Sequence, residues 1–112
     1  MGSLQSQKCV PCEGGIPPLS PKHAKQFLHQ IAGWKLNNKN NRICHEIRFK
    51  DFKGAMKFVT RVAVIAEHEG HHPDFHVHYN RVILESWTHA IGGLSINDFI
   101  LAAKINAIAP KK

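Results

Sequence analysis

The chain has 112 residues, 43% of them hydrophobic and 21% charged, which is the balance of one globular domain and excludes a collagen-like or low-complexity chain. Its formal net charge is +7, but the lysines and arginines are scattered along the chain, so direct binding of nucleic acid is not expected. No apolar run approaches the roughly 20 residues of a membrane helix, so we expect no membrane partner.

Residues 1–18 lack a periodic apolar pattern and contain several prolines and glycines. This predicts an irregular N-terminal arm before a domain that spans 19–112. Cys9 and Cys12 form a single CxxC motif in the arm. Because a zinc ribbon requires two such pairs, a closed structural zinc site is not expected, and the cysteines are expected to be reduced thiols.

The rest of the chain alternates between helical and strand patterns. Ser20 is the predicted N-cap of a first helix, and Asp51 is the predicted N-cap of a second helix that ends at Gly70. Ser95, with Asp98 three residues later, resembles a capping box before the last helix. The predicted elements are, in chain order, helix 21–32, strands 34–36 and 43–50, helix 52–69, strands 75–79 and 82–88, and helix 99–108.

This order of elements, α-β-β-α-β-β-α, predicts a single α+β domain. Its four strands are expected to form an antiparallel sheet, with the helices covering one face. In 43–50, Ile43 and Ile47 share one side of the strand, whereas Glu46 and Arg48 share the other. This alternation is typical of a strand with one buried side.

Histidine is the most unusual feature of the composition. The chain has nine histidines, and six of them lie between His68 and His89. Imidazole exchanges protons near neutral pH and is also a common metal ligand. His71 and His72 lie between Gly70 and Pro73 in a predicted loop, where side chains can converge on a ligand. The composition therefore indicates either proton transfer or metal binding.

The histidines and their neighbours occur in a specific order. Glu67, the segment His71-His72-Pro73, Tyr79, His89 and Asp98 resemble the signature of the pterin-4a-carbinolamine dehydratases, also called 4a-hydroxytetrahydrobiopterin dehydratases. The resemblance extends over roughly residues 19–109. It includes Gly33-Trp34, Phe49-Lys50-Asp51-Phe52, Thr60-Arg61-Val62-Ala63 and Gly93-Leu94-Ser95.

The resemblance implies a hydro-lyase that removes water from a 4a-hydroxytetrahydropterin to give the quinonoid dihydropterin, in tetrahydrobiopterin recycling. The hydroxyl group leaves as water only after it is protonated, and the proton on N5 must be accepted. An imidazole offers both protonation states near neutral pH. The reaction involves no redox change, so the resemblance implies neither a metal nor an organic cofactor.

Family roles can be assigned to the matching residues. The resemblance implies that His71 and His89 are the acid/base pair and that His72 binds and orients the pterin. Either member of the pair is a candidate for the acid.

Supporting roles are implied for four other residues. Glu67 would orient the histidines, Asp98 would support His89 or the pocket, Trp34 would provide an aromatic wall, and Pro73 would help to shape the loop. For Asp98, capping of the last helix together with Ser95 is an alternative explanation.

Two alternative functions belong to other classes. Some members of this family are also dimerisation partners of a homeodomain transcription factor, through the helix that corresponds to 52–68. The apolar pattern predicts that Phe58 and Ile65 are exposed on that helix. The second alternative is a His-rich metal-binding protein with His68 among its ligands, but the histidine spacing differs from that of an HExxH helix.

The resemblance also implies a homodimer or a homotetramer. We expect four apolar residues to be buried between subunits, because large apolar patches are rare on monomers: Phe58, Ile65, Ile83 and Trp87. No signal-peptide-like segment opens the sequence, so a cytoplasmic location is expected, with the nucleus or an organelle as alternatives.

Overall fold

Helices and strands follow the predicted order in the computed structural model, which describes residues 4–9 and 17–110. Within these residues there are three α-helices and four strands, so the α+β prediction is confirmed. No helix in the described ranges is both long enough and apolar enough to cross a lipid bilayer. The elements are α1 (Pro21–Leu28), β1 (Lys35–Leu36), β2 (Ile43–Arg48), α2 (Phe52–Glu69), β3 (Asp74–His78), β4 (Arg81–Ser86) and α3 (Ile96–Ile108).

The strands form one antiparallel sheet in the order β1-β2-β4-β3. Ile47 of β2 lies opposite Val82 of β4, which in turn lies opposite Val77 of β3. Because side chains alternate along a strand, Val82, Leu84 and Ser86 all point to the same buried side. The helix α2 packs against β4 and α3. Ser86, the last buried residue of β4, lies next to the candidate site.

Capping residues define both ends of α2. The Asp51 side chain accepts a hydrogen bond from the Gly54 N–H at 2.8 Å. At the other end Gly70 adopts a φ of 68°, in the left-handed region that favours glycine, and its N–H bonds to the Ala66 carbonyl. The chain therefore leaves the helix immediately before His71, which places His71 and His72 in the loop between α2 and β3.

The core-facing side of α2 differs from the prediction in one respect. Its buried residues, at spacings of three and four, are Ala55, Phe58, Val62 and Ala66. Phe58 is only 4% exposed, and its ring centroid lies 5.1 Å from that of Phe49, so its predicted exposure is wrong. The helix is rotated so that Phe58 points toward the sheet and core.

Two helix boundaries also differ from the predictions. The first helix ends at Leu28 instead of near Ala32, because the chain continues in turns that bury Ile31. The last helix begins at Ile96, three residues before the predicted start. Ser95 is its N-cap, and an N-cap residue directly precedes the first helical residue.

The described part of the arm, residues 4–9, packs against the domain. Leu4–Ser6 form a turn of 3₁₀ helix, and the Leu4 side chain is buried in the core at 3% exposure. Lys104 of α3 donates a hydrogen bond from Nζ to the Gln5 carbonyl at 2.9 Å. The prediction for Cys12 lies outside the described residues.

Candidate active site

A cleft of about 470 Å³ lies where the end of α2, the loop after it, the end of β4 and the start of α3 meet. The three predicted histidines come from two separate parts of the chain, and all of them line this cleft together with Pro73. The lining side chains that sequence reasoning did not assign to the site are Cys9, Glu69, Asp74, Trp87, Thr88, Ala90 and Asn97.

His71 is held by a buried carboxylate. Its Nε2 lies 2.7 Å from Oδ1 of Asp98, and the Asp98 side chain is fully buried. Asp98 also accepts hydrogen bonds from Ser86 Oγ at 2.6 Å, from Thr88 Oγ1 at 2.8 Å and from the Ser95 N–H at 3.0 Å. These donors satisfy the carboxylate without water, so its position is rigidly defined.

This arrangement determines which nitrogen of His71 can exchange a proton. An ionised carboxylate only accepts hydrogen bonds, so Nε2 of His71 must donate to Asp98. The other ring nitrogen, Nδ1, has no hydrogen-bond partner among the described residues. Because His71 lines the cleft, Nδ1 is the nitrogen that can give a proton to a ligand or take one from it.

His72 pairs with Glu67 at the rim of the cleft. Its Nε2 lies 2.6 Å from Glu67 Oε2, and the two side chains are 58% and 78% exposed. Glu67 lies in the last turn of α2 and is not among the residues that line the cleft. Its contact can orient His72, but an exposed pair of this kind contributes little to stability.

His89 stacks on Trp87. The two ring centroids are 3.9 Å apart with an interplanar angle of 32°. His89 opens a short 3₁₀ turn, His89–Ile91, just after β4. The guanidinium carbon of Arg42 lies 4.5 Å from the Trp87 ring centroid. Trp87 therefore supplies an aromatic surface beside the imidazole of His89.

Glu69 is the most buried acidic residue that lines the cleft, with a side-chain exposure of 3%. It accepts hydrogen bonds from the Cys9 N–H at 2.9 Å and from His68 Nδ1 at 3.1 Å, and Lys104 Nζ lies 3.7 Å away. Burial alone would raise the pKa of Glu69, but the hydrogen bonds from Cys9 and His68 and the charge of Lys104 outweigh it, so the pKa lies below its ordinary value.

Comparison with known proteins identifies the family of this chain. Residues 17–108 match the family model for pterin 4 alpha carbinolamine dehydratase. The chain belongs to this family of dehydratases, which are hydro-lyases.

The chain is also similar to individual members of the family. It is 47% identical over 112 residues to pterin-4-alpha-carbinolamine dehydratase 2, mitochondrial, of Arabidopsis thaliana, covering 96% of this chain but 60% of that relative. It also resembles the crystal structure of a transcriptional coactivator/pterin dehydratase from Brucella melitensis. That match has a TM-score of 0.79 and 33% identity, and it covers 83% of this chain and 99% of the other.

Four of the predicted residues line the cleft, and Asp98 and Glu67 each contact one of its histidines, but Trp34 lies elsewhere. Trp34 is 4% exposed, its Nε1 donates to Asn106 Oδ1 at 2.9 Å, and it does not line the cleft. The aromatic side chain in the cleft is Trp87. The signal for it in the sequence was its place two residues before His89, one of the predicted site histidines.

Asp98 performs both of the functions that the sequence offered as alternatives. Oδ2 of Asp98 accepts from the Ser95 N–H and completes the predicted capping box at the start of α3. Oδ1 accepts from His71. The structure therefore brings Asp98 to His71 rather than to His89.

Other ionisable side chains lie outside the dehydratase cleft. His76 Nε2 is 2.8 Å from Glu85 Oε1 on the open side of the sheet. Burial raises the pKa of Cys44 to about 11, and the charge and hydrogen bond of Glu85 act in the same direction, so Cys44 is a thiol at neutral pH. For the metal-binding alternative, no group of three or more His, Cys, Asp or Glu side chains in the described ranges is placed to hold a metal ion.

Proposed function

We propose that this chain removes water from a 4a-hydroxytetrahydropterin to give the quinonoid dihydropterin, through acid/base catalysis by histidine. The observation that carries the proposal is the convergence of His71, His72 and His89 on one cleft, with His71 held by the buried Asp98. Family membership supports a pterin as the substrate. In a cell this reaction would recycle tetrahydrobiopterin, with the cytoplasm as the proposed location.

The chemistry explains why two imidazoles are needed. The C4a–O bond breaks, and its oxygen takes a proton and leaves as water. The N5 lone pair forms the C4a–N5 double bond as the C4a–O bond breaks. The N5–H bond then breaks, and its electron pair stays on N5 as the lone pair of the product. One side chain must therefore donate a proton and another must accept one, and each positioned transfer contributes about 10²–10⁴-fold to the rate.

We assign these two transfers to His71 and His89. Asp98 holds Nε2 of His71, which lines the cleft, so Nδ1 is the ring nitrogen that is left to exchange a proton with a ligand. The ring of His89 packs against Trp87 at an interplanar angle of 32°, so its orientation is constrained by this contact. His72, at the exposed rim with Glu67, is suited to binding the pterin rather than to the proton transfers.

No Lewis acid is required by this mechanism. Once the hydroxyl group is protonated, the N5 lone pair expels it. A metal ion bound to the imidazoles would occupy the lone pairs that proton transfer requires. We therefore expect added zinc to inhibit the reaction.

The test is a dehydration assay on freshly generated 4a-hydroxytetrahydrobiopterin, followed by ultraviolet absorbance. We expect turnover above the buffer-catalysed rate, unchanged after prolonged incubation with a chelator and reduced by added zinc. Activity that the chelator abolishes and one equivalent of a divalent ion restores would contradict the proposal and support the metal-binding alternative.

We also propose a homo-oligomer. Phe52, Met56 and Val64 of α2 are 49%, 36% and 65% exposed, which is unusual for apolar side chains on one helix of a monomer. Ile65, which was predicted to be exposed, is partly buried against the core. Light scattering should give a dimer or tetramer mass, and a monomer mass throughout the micromolar range would contradict this.

The same surface of α2 supports a second candidate function. The Brucella relative is named as a coactivator as well as a dehydratase. In this chain a transcription-factor partner would find apolar contacts at Phe52, Met56 and Val64. Turnover of the pterin by the purified chain distinguishes an enzyme from a protein that acts only as a binding partner.

A further inference from the structure

The N-terminal arm contributes to the cleft, although it lies outside the residues that match the dehydratase family model. The match begins at residue 17, whereas Cys9 lines the cleft beside Glu69 and Asn97. One wall of this cleft is therefore built by a segment that precedes the part of the chain matched by the family model.

Several contacts hold the arm in place. The Leu4 side chain is 3% exposed within the core, and the Gln7 N–H donates to the Leu4 carbonyl at 3.1 Å, which closes a turn. Lys104 Nζ of α3 donates to the Gln5 carbonyl at 2.9 Å. A buried leucine and a hydrogen bond from a helix side chain define the start of the segment that leads to Cys9.

Cys9 is fixed from two sides at the cleft. Its backbone N–H donates to Glu69 Oε1 at 2.9 Å, and its Sγ donates to the Asn97 carbonyl at 3.5 Å. The Glu69 carboxylate is nearly buried and ionised, which makes it a strong acceptor. Glu69 at the end of α2 and Asn97 at the start of α3 thus position the backbone and the thiol of Cys9.

These contacts are separate from the histidine pairs. Cys9 contacts Glu69 and Asn97, whereas the pairs that hold the imidazoles are His71 with Asp98 and His72 with Glu67. These two contacts therefore place Cys9 at the cleft without using the carboxylates that hold His71 and His72.

We propose that the arm wall at Cys9 is a specificity element that determines how tightly the pterin is bound, with Glu69 as the positioning residue that acts through the Cys9 N–H. This inference rests on the proposed function for the identity of the ligand. It requires that changes at Cys9 alter KM and leave kcat unchanged.

The first experiment introduces a bulky side chain at the position where the arm lines the cleft. Cys9→Phe keeps the backbone hydrogen bond to Glu69 and adds bulk at the wall, whereas Lys8→Phe adds the same ring at an exposed neighbour that does not line the cleft. We expect Cys9→Phe to raise KM for 4a-hydroxytetrahydrobiopterin by about tenfold or more, with kcat and the pH profile within about twofold of wild type. Lys8→Phe should leave both constants unchanged.

The second experiment removes the anchor of the arm. Glu69→Leu deletes the acceptor for the Cys9 N–H and should raise KM in the same way, whereas Glu69→Gln keeps an acceptor and should restore most of the binding. Thermal unfolding confirms that each variant is folded. If Cys9→Phe does not fold, the comparison of Glu69→Leu with Glu69→Gln tests the proposal instead.

The outcomes separate this inference from the proposed function. If the wild-type chain turns over the pterin but Cys9→Phe and Lys8→Phe have equal KM values, the proposal for the arm is wrong and the proposed function stands. A fall in kcat without a change in KM also overturns it, because the arm would then act on the chemistry. A wild-type chain that neither dehydrates the pterin nor binds tetrahydrobiopterin in calorimetry overturns both.

Discussion

Two histidine–carboxylate pairs at the cleft have almost the same contact distance and very different surroundings. His71 and Asp98 are 2.7 Å apart with side chains 11% and 0% exposed. His72 and Glu67 are 2.6 Å apart with side chains 58% and 78% exposed. The two histidines are neighbours in the sequence, yet one contacts a buried carboxylate and the other a carboxylate in solvent.

The difference shows that burial, and not contact distance, determines what such a pair does. Asp98 accepts hydrogen bonds from Ser86, Thr88 and the Ser95 N–H as well as from His71, so it cannot rearrange without leaving buried donors unpaired. The charges of an exposed pair are screened by water, and such a pair contributes about 0–1 kcal/mol. The buried pair therefore fixes an imidazole, whereas the exposed pair leaves one adjustable.

The largest expected effect tests the division of roles between the pairs. His71→Ala and His89→Ala should each lower kcat by about 10²–10⁴-fold with the fold intact, because each removes a proton transfer. His72→Ala should mainly raise KM. Steady-state kinetics on 4a-hydroxytetrahydrobiopterin measures both constants. Near-wild-type kcat/KM in all three variants would show that the acid/base assignment is wrong.

The second prediction concerns stability. Asp98→Ala leaves buried donors on Ser86 and Thr88 without their acceptor and should reduce the free energy of unfolding by about 3–5 kcal/mol. The matched variant at the exposed pair, Glu67→Ala, should cost less than about 1 kcal/mol. Urea denaturation measures both values. Equal losses would show that burial does not distinguish the two pairs.

The third prediction uses an intermediate pair, His68 with Glu69, in which the histidine is 68% exposed and the carboxylate 3%. Glu69→Gln should lower the Tm at pH 7 by roughly 4–8 °C, the shift expected for about one net hydrogen bond in a domain of this size.

The pH dependence of that loss has a definite sign. The pKa of Glu69 is lowered in the folded state from its ordinary value of 4.5. Its ionised form therefore stabilises the fold above about pH 4.5, and this contribution is lost as the pH falls through the folded pKa. The Tm difference between wild type and Glu69→Gln should narrow in acid, and a difference that widens there would contradict the prediction.

Local sequence determined a large part of this fold. Asp51 and Gly70 bound α2 as predicted, because a short acceptor side chain and a left-handed glycine are local requirements of helix ends. Ser95 and Asp98 form the predicted capping box for the same reason. Two helix boundaries were predicted wrongly. The first helix ends at Leu28 because turns follow it, and the last helix begins at Ile96 because that residue directly follows the N-cap.

The residues of the cleft were predicted only in part. The order of the three histidines marked them as a group, and all of them line the cleft. The aromatic wall was assigned to Trp34, but the packing of Trp34 against Asn106 and His45 directs it elsewhere, and Trp87 lies beside His89 instead. A tryptophan on a short strand carries no local signal for the side of the domain that it faces.

The sequence by itself therefore determined the element order and the helix caps, because each follows from the pattern of consecutive residues. It also indicated the set of histidines, because their order resembles the family signature. Tertiary structure decided which carboxylate meets which imidazole, since Asp98 is 27 positions from His71 in the chain and Glu67 only 5 from His72. It also decided that Cys9, 60 positions before Glu69, completes the wall of the cleft. Contacts across such separations depend on how α2, β4 and α3 pack, and no local pattern encodes that packing.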